Sequence, residues 1–456
     1  MTDAAQTSAE LELELRSRTP GVAAVRIERY DNRRVVVVRI SSTVRRGALN
    51  PIDGENIAEA ARMASRKRLP LVMYVASAGA NMTEGIDALH GWGRAARELS
   101  QCSGVVPIIA INDGPAVSGS ALLIGLADII IMTEDAYAFV SSPNGVRQFT
   151  GVNVSIEELG GSAVHDRSTG VAHAVVPDRA AAEAMVAQLL AFIPDHIDCL
   201  PPLQDTLDPI ARPTPEAGDL LPDSPTGAYD VRSIAAEIVD DDYFLELRSG
   251  WAPNLVTGFA SIGGHPVGIV ANQPLAMAGT LDIAASQKGA RFVAFCDAFN
   301  IPLLTIIDTP GFYPGKDLEW RGMIRHGAQM AFAYARASVP RVALVLRKSY
   351  GGAFIVMDSK TMGNDVFIAW PTAEIAVMGA RQAAEVIARR ASAEEKEQFV
   401  LDYEERYLNP YVAAERGYID MVIEPADTRK SVAEALEVLR TKREELPERR
   451  HDNTPL

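Results

Sequence analysis

Apolar positions along the chain follow two rhythms. Unbroken runs such as Arg34-Val-Val-Val-Val-Arg-Ile40, Leu69-Pro-Leu-Val-Met-Tyr-Val75, Val106-Pro-Ile-Ile-Ala-Ile111 and Ile301-Pro-Leu-Leu-Thr-Ile-Ile307 predict strands buried on both faces. Helical spacing over residues 56–66, 282–299, 322–336 and 381–390 predicts the connections between them. Ala23–Tyr30 and Arg34–Ile40 are β-rich and separated by Asp31-Asn32, a hairpin signal. Strand and helix alternate to about Leu190. Eight prolines then fall in the 32 residues from Pro194 to Pro225, which reads as a linker or an extended crossing segment. Alternation resumes near Tyr229, with strands expected at 255–262, 267–271, 303–307, 343–346 and 375–377. A charged helical tail covers 392–443, broken at Asn409-Pro410 and Gly417. The organisation expected is a flexible 1–20, a first domain 21–193, a linker 194–228 and a second domain 229–456.

The pattern repeats. Leu69–Val75 answers Ile301–Ile307, Gly79 answers Gly311, and Val106–Ile111 answers Val339–Leu344, at an offset of 232–233 residues. The segment Gly114-Pro-Ala-Val-Ser-Gly-Ser-Ala121 answers Arg347-Lys-Ser-Tyr-Gly-Gly-Ala-Phe354 in the same way. Two copies of one α/β unit, built from stacked strand–helix repeats, are implied. Each carries a glycine-bearing loop between a buried strand and a helix, and two similar pockets facing one another are expected.

Composition narrows the chemistry. The 456 residues carry a formal net charge of −15, which argues against nucleic acid or an anionic membrane as a main partner. Local basic patches remain: Arg33-Arg34, Arg45-Arg46 and Arg66-Lys67-Arg68. Three cysteines, Cys102, Cys199 and Cys296, are too far apart for a CxxC zinc ribbon and odd in number. No signal peptide and no span-length apolar run is read, so the chain is expected to be cytoplasmic.

No GxxxxGK[ST] loop, GxGxxG fingerprint, HExxH or GxSxG elbow occurs, and the seven histidines show no metal-ligand spacing. Metal is expected to be absent. Ser118 lacks a sequence-evident histidine partner and reads as a structural serine beside a tight turn. Backbone chemistry is what remains. A strand, a small-residue turn and a helix start present free N–H groups to developing negative charge, the geometry of an oxyanion hole. Tyr350-Gly351-Gly352-Ala353 and Ser118-Gly119-Ser120 both fit this description. A second loop should stand beside each: Ala76–Gly85 in the first copy and Asp308–Gly315 in the second, at the C-terminal ends of strands.

At these residues the chain resembles the carboxyltransferase (β) subunit of biotin-dependent acyl-CoA carboxylases, of the acetyl- and propionyl-CoA type. The resemblance rests on Tyr229-Asp-Val-Arg, Trp251-Ala-Pro-Asn-Leu-Val-Thr-Gly-Phe, Val270-Ala-Asn-Gln-Pro, Asp308-Thr-Pro-Gly-Phe, Ser349-Tyr-Gly-Gly-Ala and Ala369-Trp-Pro-Thr-Ala-Glu-Ile-Ala-Val-Met-Gly-Ala. The first half matches at Gly114-Pro115, Glu157-Glu-Leu-Gly-Gly and Gly170-Val-Ala-His173. It departs at Ser118, which replaces the first of a glycine pair. It departs again at Ser77-Ala-Gly-Ala-Asn81, and at Arg45-Arg46-Gly-Ala, which fills a Phe-Gly-Gly-Ser-like turn.

The resemblance implies two duplicated crotonase-like (ClpP/crotonase superfamily) domains of stacked ββα units. It implies a hexamer, a trimer of dimers, with active sites between the first domain of one subunit and the second domain of its dimer partner. It implies acyl-CoA as substrate and biotin carried on a separate subunit, since no Met-Lys-Met biotinylation site occurs here. A biotin carboxylase/biotin carrier (α) subunit would then be the partner, and a paralogous subunit could share the hexamer. Carried over by position, Ser118 and Gly119 supply the acyl-side amides, and Gly352 and Ala353 the biotin-side amides. Ala78, Gly79, Ala80, Arg45 and Arg46 border the acyl-CoA. Gly311, Phe312, Tyr350, Gly351 and Ile355 border biotin and the acyl pocket. The implied reaction moves carboxyl from carboxybiotin to the α carbon of acetyl-CoA or propionyl-CoA through an enolate, as in fatty acid biosynthesis, with no side-chain acid or base. Three other readings stand beside it: a malonyl-thioester decarboxylase or transcarboxylase, an acyl-site-degenerate partner subunit, and a crotonase-type hydratase. The last lacks a paired glutamate base, Glu134 or Glu157 alone being weak evidence.

Overall fold

The computed structural model describes residues 13–15, 21–224, 226–442, 444, 446–448 and 450–455. By internal contacts the chain divides into two compact units. The first is Met1–Leu190 with Asp195–Asp198, and the second is Ala191–Pro194 with Cys199–Leu456. Of the N-terminal stretch expected to be flexible, residues 1–12 and 16–20 lie outside the described residues, as do Pro225 of the proline-rich segment and Arg443 of the tail.

The first unit contains β1 (Leu13–Leu15), β2 (Ala23–Tyr30), β3 (Arg33–Ile40), β4 (Leu71–Ser77), β5 (Ile108–Val117), β6 (Ile129–Thr133), β7 (Tyr137–Phe139) and β8 (Ala174–Val176). Their order in the sheet is β1-β2-β3-β4-β5-β6-β8, with β7 also on β5. β2 and β3 form the hairpin expected at Asp31-Asn32. Tyr30 pairs with Arg33, and Asp31 takes φ 52°, as a tight hairpin turn requires. From β3 onward the pairings are parallel. Val35–Val38 and all of Leu71–Ser77 are buried, which is why these runs are continuous rather than alternating. The helix Pro51–Lys67 covers one face. It begins with Pro51 at its first position behind Asn50, in a capping box with Asp53. Buried Asp53 also accepts from the amides of Val22 (2.7 Å) and Ala23 (2.9 Å), tying the helix start to the edge of β2.

The second unit repeats this plan. Its strands are β9 (Leu245–Leu247), β10 (Leu255–Ile262), β11 (His265–Asn272), β12 (Leu303–Thr309), β13 (Arg341–Tyr350), β14 (Val366–Ala369), β15 (Glu374–Ala376) and β16 (Met421–Val422). They are ordered β16-β14-β13-β12-β11-β10-β9, with β15 also on β13. The helices Ile283–Ala298, Met323–Arg336 and Ala380–Ile387 fall where helical spacing predicts them. In the tail, Ala393–Tyr407, Pro410–Glu415 and Thr428–Leu439 are helices. The proline-rich segment is irregular and anchored to this unit. Buried Thr214 donates its hydroxyl to the Pro425 carbonyl at 2.7 Å, and the Gln204 amide donates to the Gly264 carbonyl at 2.8 Å.

One irregularity occurs in both sheets and sets the site geometry. Between β4 and β5 the register steps from Val75↔Asn112 to Ser77↔Ala116, so β5 carries two extra residues there. Between β12 and β13 it steps from Ile307↔Val345 to Thr309↔Ser349. After this bulge each long strand changes partner, β5 from β6 to β7 and β13 from β14 to β15. A bulge bends its strand and re-aims the residues beyond it. Here it turns the strand end into the next helix, Gly119–Ile124 in one unit and Gly351–Val356 in the other. The segments read as loops at 114–117 and 347–350 are therefore strand, and each turn shrinks to a residue or none.

Candidate active site

In the second unit, β13 runs through Tyr350 directly into the helix Gly351–Val356. Gly351 takes φ 60°, so the chain reverses over one residue. The leading amides of a helix have no intrahelical acceptor, and Gly352 and Ala353 lie among them. Beside this elbow stands the Asp308–Gly315 loop. The ring of Phe312 comes within 3.3 Å of where a Gly352 Cβ would stand, and around Gly311 that space is open. The loop is stitched to Leu281, whose amide donates to the Gly311 carbonyl (3.1 Å) and whose carbonyl accepts from Tyr313 (2.9 Å). Tyr350 is buried and donates its hydroxyl to Glu374. Burial and the neighbouring carboxylate push that phenol's pKa above its ordinary value.

A buried ionic knot holds the base of the same loop. The Asp308 carboxylate accepts from the Tyr229 hydroxyl (2.8 Å), from Arg347 Nε (3.1 Å) and from the Lys348 amide (3.0 Å). Arg347 also donates to the Gly227 carbonyl (3.0 Å) and stacks over the Tyr229 ring. The end of the proline-rich segment, β12 and β13 thus meet at one carboxylate. Tyr229, Asp308, Arg347 and Lys348 stand in stretches quoted above, but the sequence does not show that they meet. Their signal was two charges, Asp308 and Arg347, each closing an otherwise apolar strand run.

In the first unit, β5 ends at Val117 and the helix Gly119–Ile124 begins two residues later. The turn is Ser118 alone, at φ 59° and ψ −118°, a conformation that favours glycine. Its counterpart is Gly351. The Ser118 amide already donates to the Phe139 carbonyl at 2.9 Å. That N–H is taken, which departs from the expected acyl-side pair Ser118–Gly119. The pair equivalent to Gly352–Ala353 is Gly119–Ser120. Ser120 lies in the Ser118-Gly119-Ser120 turn singled out above, and the 233-residue offset makes it the counterpart of Ala353. The Trp92 indole lies 3.3 Å from where a Gly119 Cβ would stand and, with Leu122, Leu126, Phe139 and Val140, lines an open apolar groove of about 810 Å³.

The neighbouring loop is drawn close as expected. A Cβ on Gly79 would lie 2.8 Å from the Val117 carbonyl and 3.6 Å from Ser118 Cβ. Ala78 donates its amide to the Arg46 carbonyl (2.9 Å) and Gly79 to Ser77 Oγ (3.1 Å). Ala80 bridges to Leu49. Ala78 and Gly79 accordingly shape the site, their amides being engaged by the Arg46 carbonyl and by Ser77 Oγ. Ile355 occupies the exposed outer side of its elbow helix, at the place Leu122 has in the first unit. Among the described residues there is no metal-binding cluster and no helix long and apolar enough to cross a membrane.

Residues 27–454 match the carboxyl transferase domain family. The propionyl-CoA carboxylase beta chain of Saccharopolyspora erythraea is 42% identical over 445 residues, covering 93% of this chain and 82% of that protein. The methylmalonyl-CoA decarboxylase subunit alpha of Veillonella parvula is 40% identical over 427 residues, covering 93% and 84%. A crystal structure of transcarboxylase 12S, a hexamer with hydrolysed methylmalonyl-coenzyme A bound, superposes with a TM-score of 0.95 at 39% identity, over 98% of this chain and 90% of that one. Built on the same bulge and elbow in each unit, the chain belongs to the carboxyl transferase domain family and is a carboxyltransferase of crotonase-like fold.

Proposed function

We propose that the enzyme moves a carboxyl group from carboxybiotin on a separate carrier protein to the α carbon of a short acyl-CoA, acetyl-CoA or propionyl-CoA. The observation that carries this reading is the duplicated elbow, a helix start behind a bulged strand in each unit. Biotin supplies the activated carboxyl group. The exposed glycine at 352, with open space at Gly311 and the flat ring of Phe312 against it, suits a planar ureido group better than a branched one. The amides of Gly352 and Ala353 would hold the ureido oxygen, and those of Gly119 and Ser120 the thioester oxygen. Each donor of this kind typically contributes about 2.7–4 kcal/mol to the transition state. The apolar groove beside Gly119 suits the pantetheine arm, and Ile355 a short apolar acyl group. The first unit is thus the acyl-CoA side and the second the biotin side. Assembly as a hexamer with a biotin carboxylase/biotin carrier subunit is part of the same proposal.

Incubating the purified chain with a carboxylated biotin carrier and acetyl- or propionyl-CoA tests it. Labelled carboxyl should appear on the thioester. Transfer to neither, with loss of CO2 from malonyl- or methylmalonyl-CoA, would replace this reading with a decarboxylase, which the 40% identity to a decarboxylase subunit favours as the second choice.

A further inference from the structure

An aromatic ring stands over the equivalent glycine of each elbow helix. In the second unit it is Phe312, 3.3 Å from where a Gly352 Cβ would be. In the first it is Trp92, whose Cγ, Cδ1 and Nε1 all lie 3.3 Å from the Gly119 Cβ position. The two rings do not come from equivalent places in the chain. Phe312 sits in the loop after β12, where its bridge to Leu281 matches the Leu49–Ala80 bridge of the first unit. Its counterpart is therefore Ala80. Trp92 sits on the helix Ile86–Cys102. Buried Ala88, Ala95, Leu99 and Cys102 of that helix find buried Met323, Met330, Tyr334 and Ala337 at a constant 235 positions further on. The same step makes Gly327 the counterpart of Trp92. Gly327 leaves room for the Phe312 ring, which a Cβ there would approach to 3.3 Å. One unit thus uses Phe with Gly, and the other Ala with Trp, at the same two positions. A ring supplied from a loop in one copy and from a helix in the other is kept for its place over the elbow.

The two rings differ in chemistry. Phenylalanine offers only a dry surface, and tryptophan adds an N–H. Half-buried Trp92 packs on the core of its unit and lines the apolar groove beside Gly119. Its indole N–H makes no hydrogen bond among the described residues. Fully buried Trp370, by contrast, donates to Thr428 Oγ1 at 2.9 Å. An indole with its body in apolar surroundings normally finds an acceptor for the N–H. The side chains of Ala96, Leu122 and Leu126, which share the groove with it, offer none. We propose that Trp92 is a further substrate-contacting residue of the acyl side. Its ring keeps water off the Gly119 elbow, and its N–H donates to a carbonyl oxygen of the bound acyl thioester. This rests on the acyl-CoA reading of the first unit. The thioester and the pantetheine amides both carry such an oxygen, and kinetics separate them.

In the full chain, W92F removes the N–H and keeps a ring of the kind the second unit uses. W92G/A80F moves the ring to the loop, as the second unit does. Both are compared with W92G and the wild type in transfer from a carboxylated biotin carrier to acetyl-CoA, in calorimetric binding of acetyl-CoA, and in thermal melting. W92F should melt close to the wild type and lose about tenfold in kcat/KM, as for one hydrogen bond. A loss in kcat alone assigns the bond to the thioester oxygen, which gains charge as the enolate forms. A rise in KM and Kd with kcat unchanged assigns it to a pantetheine amide. W92G should lose more, and W92G/A80F should return to the W92F values. Wild-type kcat, KM and Kd in W92F, whatever its melting temperature, would make Trp92 a packing residue alone and overturn the inference, leaving the acyl-CoA reading intact. A W92G/A80F protein that melts like the wild type yet is no more active than W92G would overturn it too. A wild type that binds no acetyl-CoA would sink the acyl-CoA reading and this inference together.

Discussion

The two units share a backbone and differ in how they hold it. In the second, the strand ends flanking the elbow are locked by a buried ion pair, Asp308 with Arg347, whose side chains are 2% and 9% exposed. In the first, the equivalent residues are Ala76 and Gly114, and a Cβ on Gly114 would stand 3.0 Å from the Ala76 methyl. One unit spans this crossing with charge and the other closes it by contact. At the elbow the contrast reverses. The second unit relaxes with Gly351, whereas the first holds Ser118 in a conformation that strains a side chain. Duplication thus preserved the bulge, the turn and the helix start, and left the local means of stabilising them free to diverge.

The largest expected effect comes from breaking the charged version. Asp308→Ala leaves Arg347 buried without its partner, which typically costs about 3–5 kcal/mol. D308A/R347G installs the first unit's own pair and removes the stranded charge, so it should cost clearly less than the two single changes added. Urea denaturation of the four proteins in a double-mutant cycle reads this directly. Additive costs would mean that the knot works through Tyr229 and Lys348 rather than through the ion pair.

A smaller contrast lies on the helices. Lys288 is fully buried and donates to the carbonyls of Arg248 (2.9 Å), Trp251 (3.0 Å) and Ala252 (3.4 Å). Its counterpart, Asn56, donates a neutral amide to the Ala23 carbonyl at 3.0 Å. Burial pulls the Lys288 ammonium down to about 7, from 10.5 in the unfolded chain. Below pH 7 both states hold the proton, and the fold bears the full cost of a buried cation. Between pH 7 and 10.5 the folded state sheds the proton while the unfolded state keeps it, so stability rises with pH by up to about 1.4 kcal/mol per unit. Melting curves from pH 7 to 9 should show this gain in the wild type and a flatter profile in K288M. Parallel profiles would show that the three carbonyls keep Lys288 charged.

Much of this was legible in the sequence. Continuous runs such as Val35–Val38 and Leu71–Val75 give buried parallel strands because every residue in them loses water. The constant 232–233 offset reports one plan used twice. What escaped was set by pairing between distant strands. Residues 114–117 and 347–350 carry glycine, proline or charge and look like loops, yet each is strand because a bulge hands it to β7 or β15. The engaged amide of Ser118 was equally invisible, since its acceptor, Phe139, lies 21 residues away in sequence. Of the short partner strands, β15 was read at 375–377, whereas β8 and β16, of three and two residues, carry too little periodicity to be read.

The finest test of the comparison exchanges the elbow residues. A left-handed conformation costs a residue with a Cβ about 1–2 kcal/mol, and glycine's greater freedom in the unfolded chain returns about 0.5–1 kcal/mol of that. Ser118→Gly should therefore stabilise the first unit by about 1 kcal/mol. Gly351→Ser should destabilise the second by slightly more, because the Val377 carbonyl already lies 3.1 Å from where its Cβ would stand. Thermal denaturation of both variants and of the double exchange measures the asymmetry. A Ser118→Gly protein no more stable than the wild type would mean that the exposed hydroxyl contributes as much as its backbone costs. The departure from glycine at this elbow would then be compensated locally rather than carried as strain.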